Sequence, residues 1–256
     1  MSNIHLIMTG KGGVGKSFVA ACQMQTSLEL DRSVIGIDTD PVNKTFAAYK
    51  ALNVIELQLI KEGTDEINKR AFDQLIEIVC EQHEKGVKDI IVDNGASSFV
   101  PLASYLLAND AINFLTEMGH TVTLHCIIAS GQAQLDTLTG LDEMAKKFQS
   151  QDCGLVVWLN EYEGKIEGNG KPFTEMKVFK QHSSAIKSVI SLGQYDGQLH
   201  GADVRDMLTK KLTFNEAIES GDFSIMQKQR LKLVKKNIID AIKAALYESE
   251  LETEQA

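Results

Sequence analysis

The chain has 256 residues, with 35 acidic against 26 basic side chains and a formal net charge of −9. Hydrophobic residues make up 43% and charged residues 24%, the balance of a globular protein able to bury a substantial core. This composition excludes collagen-like chains, disulfide scaffolds and polycationic nucleic-acid binders; it argues against DNA as a whole-surface partner without speaking to a local patch. No apolar run approaches the ~18 residues of a membrane span. No basic segment precedes the apolar residues 4–8, so a secretory signal is not expected either. Cys22, Cys80, Cys126 and Cys153 are far apart and form no C-x-x-C, and they read as reduced, mostly buried thiols of a cytoplasmic protein.

The first predicted element is a strand over residues 4–9, which runs directly into GKGGVGKS at residues 10–17 and then a predicted helix over 17–30. Gly10, Gly15, Lys16 and Ser17 fill every fixed position of G-x-x-x-x-G-K-[ST] in the strand–loop–helix context that gives the motif meaning. A chance match arises in roughly one chain per hundred of this length, before that context is required. The physics needs each piece. The backbone N–H groups of Gly10, Lys11, Gly12, Gly13, Val14 and Gly15 can turn inward around phosphate oxygens because few side chains stand in the way. The helix that begins near Ser17 and Phe18 points its positive dipole end at the same anion. Lys16 then reaches the outer phosphates, and the Ser17 hydroxyl is placed to ligate Mg²⁺.

The second strand, 33–38, ends in Asp38-Thr39-Asp40-Pro41, so two carboxylates stand at a strand end where a metal and an attacking water belong. Residues 54–60 are a further short strand candidate that periodicity leaves open. A helix is predicted over 65–84, then a strand over 89–93 that is apolar until Asp93, a second carboxylate station. A helix over 98–109, a strand over 121–129, a helix over 132–148 and a strand over 155–160 ending in Asn160 follow. Residues 161–172 carry three glycines and a proline and read as an excursion with hairpin composition. A helix over 173–183, a strand over 186–191 and helices over 202–210, 214–219 and 224–247 complete the chain. The expected fold is an α/β single-domain P-loop NTPase, a mainly parallel sheet covered on both faces, with a helical C-terminal third. The domain is expected to span 1–247, followed by a frayed acidic tail over 248–256.

On the last helix Lys228, Lys232, Lys235, Lys236 and Lys243 fall within about a 100° arc beside an apolar stripe. Six basic residues face Asp240 alone between 227 and 243, a local net of +5. A core-docked helix with a solvated lysine face and a surface for DNA phosphates are both open readings. A membrane-anchoring tail fits less well, because bulky aromatics are lacking and the following segment is acidic. His120 and His125 are five apart and point to opposite faces of a strand, so no zinc site is expected. Because the phosphate loop begins within ten residues of Met1, any sequence-specific reading of DNA is expected to come from a partner.

KGGVGKS at residues 11–17 resembles the deviant Walker A loop of the ParA/MinD ATPases, and the DTDP segment resembles their switch I. The resemblance implies ATP and Mg²⁺ as cofactors and a homodimer formed across ATP, with Lys11 reaching the partner subunit's nucleotide. It implies that Asp40 orients the hydrolytic water, that Asp38 supports the metal or phosphate shell, and that Asp93 is the Walker B carboxylate. After that carboxylate the family usually runs Asp-x-Pro-Pro, whereas this chain has Asp93-Asn94-Gly95-Ala96-Ser97. Asn160 falls where family members place an adenine-contacting asparagine; a strand-end cap is an equal reading. YKALNV, VDNGASSFVPL, EMGH and VVWLN make the whole chain similar to TraL-type conjugal-transfer proteins of broad-host-range plasmids, a branch of that family. The implied function is a slow, partner-stimulated ATPase switch in plasmid transfer or maintenance. Its implied partners are a transfer or partition protein and DNA held non-specifically by the lysine stripe. A small-molecule synthetase on the same fold, or an ATP-binding adaptor with little hydrolysis, are the alternatives.

Overall fold

The structure, a computed structural model, describes residues 1–61, 64 and 66–248. In chain order the elements are β1 (Asn3–Ile7), α1 (Lys16–Glu29), β2 (Val34–Asp38), β3 (Val54–Glu56), α2 (Ala71–Glu84), β4 (Asp89–Asp93), α3 (Phe99–Ala108) and α4 (Ala111–Glu117). They continue with β5 (Thr121–Ala129), α5 (Gln134–Lys147), β6 (Gly154–Asn160), β7 (Glu167–Gly168), β8 (Lys171–Pro172), α6 (Lys177–His182), β9 (Ile186–Ser191), α7 (His200–Thr209), α8 (Phe214–Glu219) and α9 (Ile225–Leu246). Seven strands form one sheet in the order β3-β2-β4-β1-β5-β6-β9. Every pairing in it is parallel.

The period-2 alternation of side chains explains how short apolar strands serve two helical layers at once. Ile4 and Leu6 of β1, Ile90 and Val92 of β4, and Leu124 and Cys126 of β5 pack against α2, α3, α4 and α5. Ile7, Ile91, Ile127 and Trp158 face the other way, onto α1, α7, α8 and α9. Helix α1 is buried along nearly its whole length, so the residues following the phosphate loop are anchored in the core. Local signals set the last two helices. Thr213 with Glu216 and Ser224 with Gln227 form reciprocal capping boxes at the starts of α8 and α9.

Several boundaries differ from expectation, each for a local reason. The helix expected over 65–84 begins at Ala71, because Ile67 pairs with Ile60 in an antiparallel bridge and Asn68 returns its N–H to Leu59. Asp65 itself lies outside the described residues. The candidate strand at 54–60 is three residues long, paired with β2. The segment 173–183 breaks into a 3₁₀ turn over Phe173–Glu175 and the six-residue α6. Helix α4 was not anticipated; a left-handed Asp110 (φ 50°) turns the chain out of α3 and straight into it. The excursion over 161–172 does contain a hairpin, β7 to β8, turning through Asn169 and Gly170 at φ 53° and 72°. The expected acidic tail lies, but for Glu248, outside the described residues. All four cysteines are free; Cys22 and Cys126 are buried and the other two partly so.

Far apart in sequence, His5 and His125 are brought together by the sheet. His5 of β1 and His125 of β5 meet with Nδ1 and Nε2 3.0 Å apart. Trp158 Nε1 donates to His125 Nδ1 (2.9 Å), which fixes the His125 proton on Nε2. Burial, with His5 adding to it, holds His125 well below the ordinary imidazole range. The unfolded chain therefore takes up a proton near pH ~6.5 that the folded chain refuses. Stability is unaffected by this ring above that pH and falls by up to ~1.4 kcal/mol per pH unit below it. In His125→Asn, which keeps an acceptor for Trp158, urea unfolding between pH ~5 and ~7.5 is expected to show a slope flatter by about one proton. Parallel profiles for the two proteins contradict this.

Candidate functional site

The parallel sheet collects its strand ends on one edge, and β1 lies between β4 and β5 at the point where the chain switches direction across the sheet. The phosphate loop leaves β1 there. Gly13 and Gly15 hold φ of 75° and 100°, left-handed values that a side chain resists, and Gly15 is the cap residue immediately before α1. The loop's N–H groups and the start of α1 thus converge on one point. Lys16 is the first helical residue, and its Nζ donates to the carbonyl of Lys11 (2.8 Å). Burial lowers the pKa of Lys16, against the pull of Asp93 and Asp40.

Asp38 and Asp93 end adjacent parallel strands and are register partners. Burial pushes the Asp93 carboxyl up to about 7, and the neighbouring charges of Asp38 and Asp40 push the same way. The Ser17 hydroxyl, donating to Asp93, and Lys16 oppose that shift. Asp93 Oδ1 is buried and accepts no hydrogen bond among the described residues. A desolvated carboxylate oxygen beside a serine hydroxyl is the donor set a hard cation takes, so the residues present fit Mg²⁺.

The two other carboxylates are committed to the loop after β2. Asp38 accepts three backbone N–H groups, from Asp40 (3.0 Å), Phe46 (3.1 Å) and Ala47 (3.0 Å). Its pKa is raised by burial, and those donors counter the shift. Asp40 Oδ1 accepts from Val42 (2.9 Å) and Asn43 (3.0 Å), which closes a tight turn at the mouth of the site. The back of Asp40 rests on Gly95. A Cβ on that glycine would stand 2.7 Å from Asp40 Cγ, so only glycine allows the approach.

Asn160 lies beside the loop, with Nδ2 donating to the Val14 carbonyl (3.0 Å) and Oδ1 accepting from Tyr162 (3.2 Å). It steadies the loop through both ends of its amide. Lys11 forms an exposed ion pair with Asp136 in the first turn of α5 (2.7 Å). Two adjoining clefts share Gly12, Gly13, Gly15, Phe18 and Leu208. One, of about 550 Å³, also includes Lys16, Ser17, Asp40, Tyr49, Ala96 and Ser97. The other, of about 360 Å³, is walled by Val14, Ala129, Ala133, Val204 and Leu208, with Tyr162 and Arg205 also lining it. The first has the charges for a phosphate chain, and the second has apolar walls for a planar ring.

Away from this edge, the lysine stripe of α9 is only partly free. Lys235 pairs with Glu29 of α1 and donates to Asn215, and Arg230 of the same helix pairs with Asp203 of α7. Lys232 and Lys236 are exposed, while Lys228 and Lys243 are partly covered. Sequence reading missed Asp136 as the partner of Lys11; an acid in the first turn of the helix after β5 was its one signal. It also passed over the side chains of Thr39, Asn94 and Ser98, which are fully buried between β2, β4 and α3.

The burial of Asp93 has a measurable consequence. Asp93→Asn removes a desolvated charge while keeping an acceptor for Ser17, so the nucleotide-free protein is expected to melt several degrees higher. Mg²⁺ with nucleotide is expected to stabilise the unsubstituted protein further, and the same variant is expected to lack that gain. Thermal unfolding with and without Mg²⁺ and ATP checks both; an unchanged Mg²⁺ response contradicts the assignment.

No family model matches the chain. It is 42% identical over 245 residues to a Protein TraL from Escherichia coli, covering 96% of this chain and 99% of that one. A second Protein TraL from Escherichia coli is 40% identical over the same coverage. Among solved structures, the septum site-determining protein MinD complexed with Mg-ADP from Pyrococcus horikoshii OT3 superposes with a TM-score of 0.60 at 14% identity, covering 98% of both chains. A chain of the MinC:MinD cell division protein complex of Aquifex aeolicus gives 0.57 at 14% identity, covering 97% of this chain and 96% of that one. Apo McdA from Cyanthece gives 0.56 at 12%, covering 96% and 100%. These structural likenesses speak for the fold, and the sequence identity speaks for kinship: the chain belongs to the TraL family and is built on the MinD-type P-loop fold.

Proposed function

We propose that the chain is a Mg²⁺-dependent, ATP-hydrolysing switch that dimerises across its nucleotides and acts in plasmid conjugative transfer or maintenance. The observation that carries the reading is the unsatisfied Asp93 oxygen beside Ser17, Lys16 and the glycine loop. When bound, Mg²⁺ would draw charge from the outer phosphates of ATP. Within the reading, the loop N–H groups from Gly10 to Ser17 hold the phosphates and Phe18 continues the wall of both clefts. Lys16 exchanges the Lys11 carbonyl for a phosphate oxygen, and Ser17 and Asp93 hold the metal. Asp38 contributes to that shell by shaping the loop whose N–H groups it gathers. Asp40 orients the attacking water, and Asn160 stands at the junction of phosphate and adenine. The reaction is phosphoryl transfer to water, with catalysis mostly by positioning and charge neutralisation.

Lys11 has the further task of reaching the partner subunit's nucleotide. Its pairing with Asp136 within one protomer must then break, and an exposed ion pair breaks readily. The relatives carry the name TraL, in keeping with the resemblance to TraL-type conjugal-transfer proteins on which a place in conjugation rests. Lys228, Lys232, Lys236 and Lys243 offer DNA phosphates a non-specific surface, with Lys235 already tied to Glu29. Among the described residues no helix is long and apolar enough to cross a membrane.

Lys16→Ala is expected to lose ATP binding. Asp40→Ala is expected to keep ATP affinity within a few-fold and lose at least tenfold in turnover, so that the ATP-bound form accumulates. Wild-type turnover in Asp40→Ala contradicts its role. Light scattering is expected to show a dimer that needs ATP and is lost in Lys11→Ala. An oligomer indifferent to ATP points instead to a synthetase-type enzyme, and binding without turnover points to an adaptor.

A further inference from the structure

The segment after Asp93 departs from the Asp-x-Pro-Pro usual in ParA/MinD ATPases at large, and the structure shows what stands in its place. Thr39, Asn94 and Ser98 are each completely buried. The Asn94 amide oxygen is a hub, lying 3.1 Å from the Thr39 hydroxyl and 2.9 Å from the Ser98 hydroxyl. Ser98 Oγ also lies 3.3 Å from the Thr39 carbonyl and 3.2 Å from the Gly95 carbonyl, and Thr39 Oγ1 lies 3.1 Å from the Asp93 carbonyl. Asn94 Nδ2 closes the circuit on the Gly95 carbonyl (3.1 Å), and the Thr39 N–H donates to the Asp93 carbonyl (2.9 Å). Three short polar side chains thus bind the strand end that carries Asp40 to the strand end that carries Asp93.

We infer that Thr39, Asn94 and Ser98 form a buried strut that couples the segment carrying Asp40 to the segment that follows Asp93, acting as positioning residues that set Asp40 against the bound phosphate. The inference rests on the proposed ATPase reading and deepens it. Asp40 directly follows Thr39 and leans on Gly95 at near-contact distance, while Ala96 and Ser97 line the phosphate cleft. A displacement of residues 95–97 by a phosphate therefore has a short, rigid path to Asp40. A buried, satisfied network of this kind admits few alternative geometries, because breaking one member strands the others without water. A proline pair would stiffen the segment through its backbone. Here side chains do so across two strands, which makes the coupling specific to the β2–β4 pairing.

A double-mutant cycle tests this, with ATP turnover and nucleotide affinity measured on the full chain. Thr39→Val and Ser98→Ala are each expected to lower turnover about tenfold with affinity for Mg-ATP changed less than twofold. The double variant is expected to be no worse than either single, because both break one unit. Thr39→Ser, which keeps the hydroxyl, is expected to restore most of the rate, and that rescue separates positioning from packing. Losses that multiply in the double variant, or a Thr39→Ser as slow as Thr39→Val, overturn the strut. So does unchanged turnover in both single variants, which leaves the ATPase reading standing. A wild-type protein that does not turn over ATP overturns both.

Discussion

Carboxylates buried without water must find donors or cations, and this requirement organises the active edge of the sheet. Asp38 and Asp93 sit opposite each other on neighbouring strands, with Asp40 two residues on. Each is satisfied differently. Asp38 takes three backbone N–H groups, and in doing so fixes the course of residues 40–47. Asp40 caps a turn. Asp93 takes the Ser17 hydroxyl, feels Lys16, and keeps one oxygen without a hydrogen bond. The cost of that last oxygen is carried by the nucleotide-free protein, and in the proposed function a divalent cation would relieve it. The proposed need for Mg²⁺ would then follow from burial as much as from coordination chemistry.

The same edge also explains why the loop is held rather than merely present. Helix α1 is embedded between the sheet and α9, so its positive dipole end, at the glycine loop, is held in place. Asn160 reaches from β6 to hold Val14, and Gly95 packs against Asp40 from β4. The glycine loop, Asp93 and Asp40, to which the proposed function assigns the anion, the metal and the attacking water, come from three different strands whose order is enforced by the core. The net charge of −9 hides this arrangement, much as it hides the +5 segment on α9. Part of that positive charge is absorbed by Glu29 and Asp203, so the lysine face is narrower than a count of residues suggests.

What could be read from the sequence follows from range. The phosphate loop, the strand-end aspartates and the two-faced strands are local patterns, and residues three to eight apart suffice to recognise them. The Asn169–Gly170 turn and the capping residues of α8 and α9 belong to the same class. The strut was illegible because it depends on β2 and β4 being neighbours, a pairing across 55 residues between Thr39 and Asn94. The His5–His125–Trp158 row is hidden for the same reason, since it crosses three strands. Helix α4 escaped because it is short and enters through a left-handed residue that no periodicity announces. Asp38 shows the subtler case: its position was evident, but its use of both oxygens on backbone N–H groups required the loop's path.

In the proposed function buried Asp93 and the adjacent Ser17 hydroxyl take up a cation brought with a nucleoside triphosphate. Titration calorimetry of ATP into the full chain, with Mg²⁺ and then with the metal chelated, addresses it without requiring turnover or a partner. Saturable binding at least tenfold tighter with Mg²⁺ is expected, a gain of about 1.4 kcal/mol or more. ATP binding of equal strength in the two conditions, or no binding in either, contradicts it.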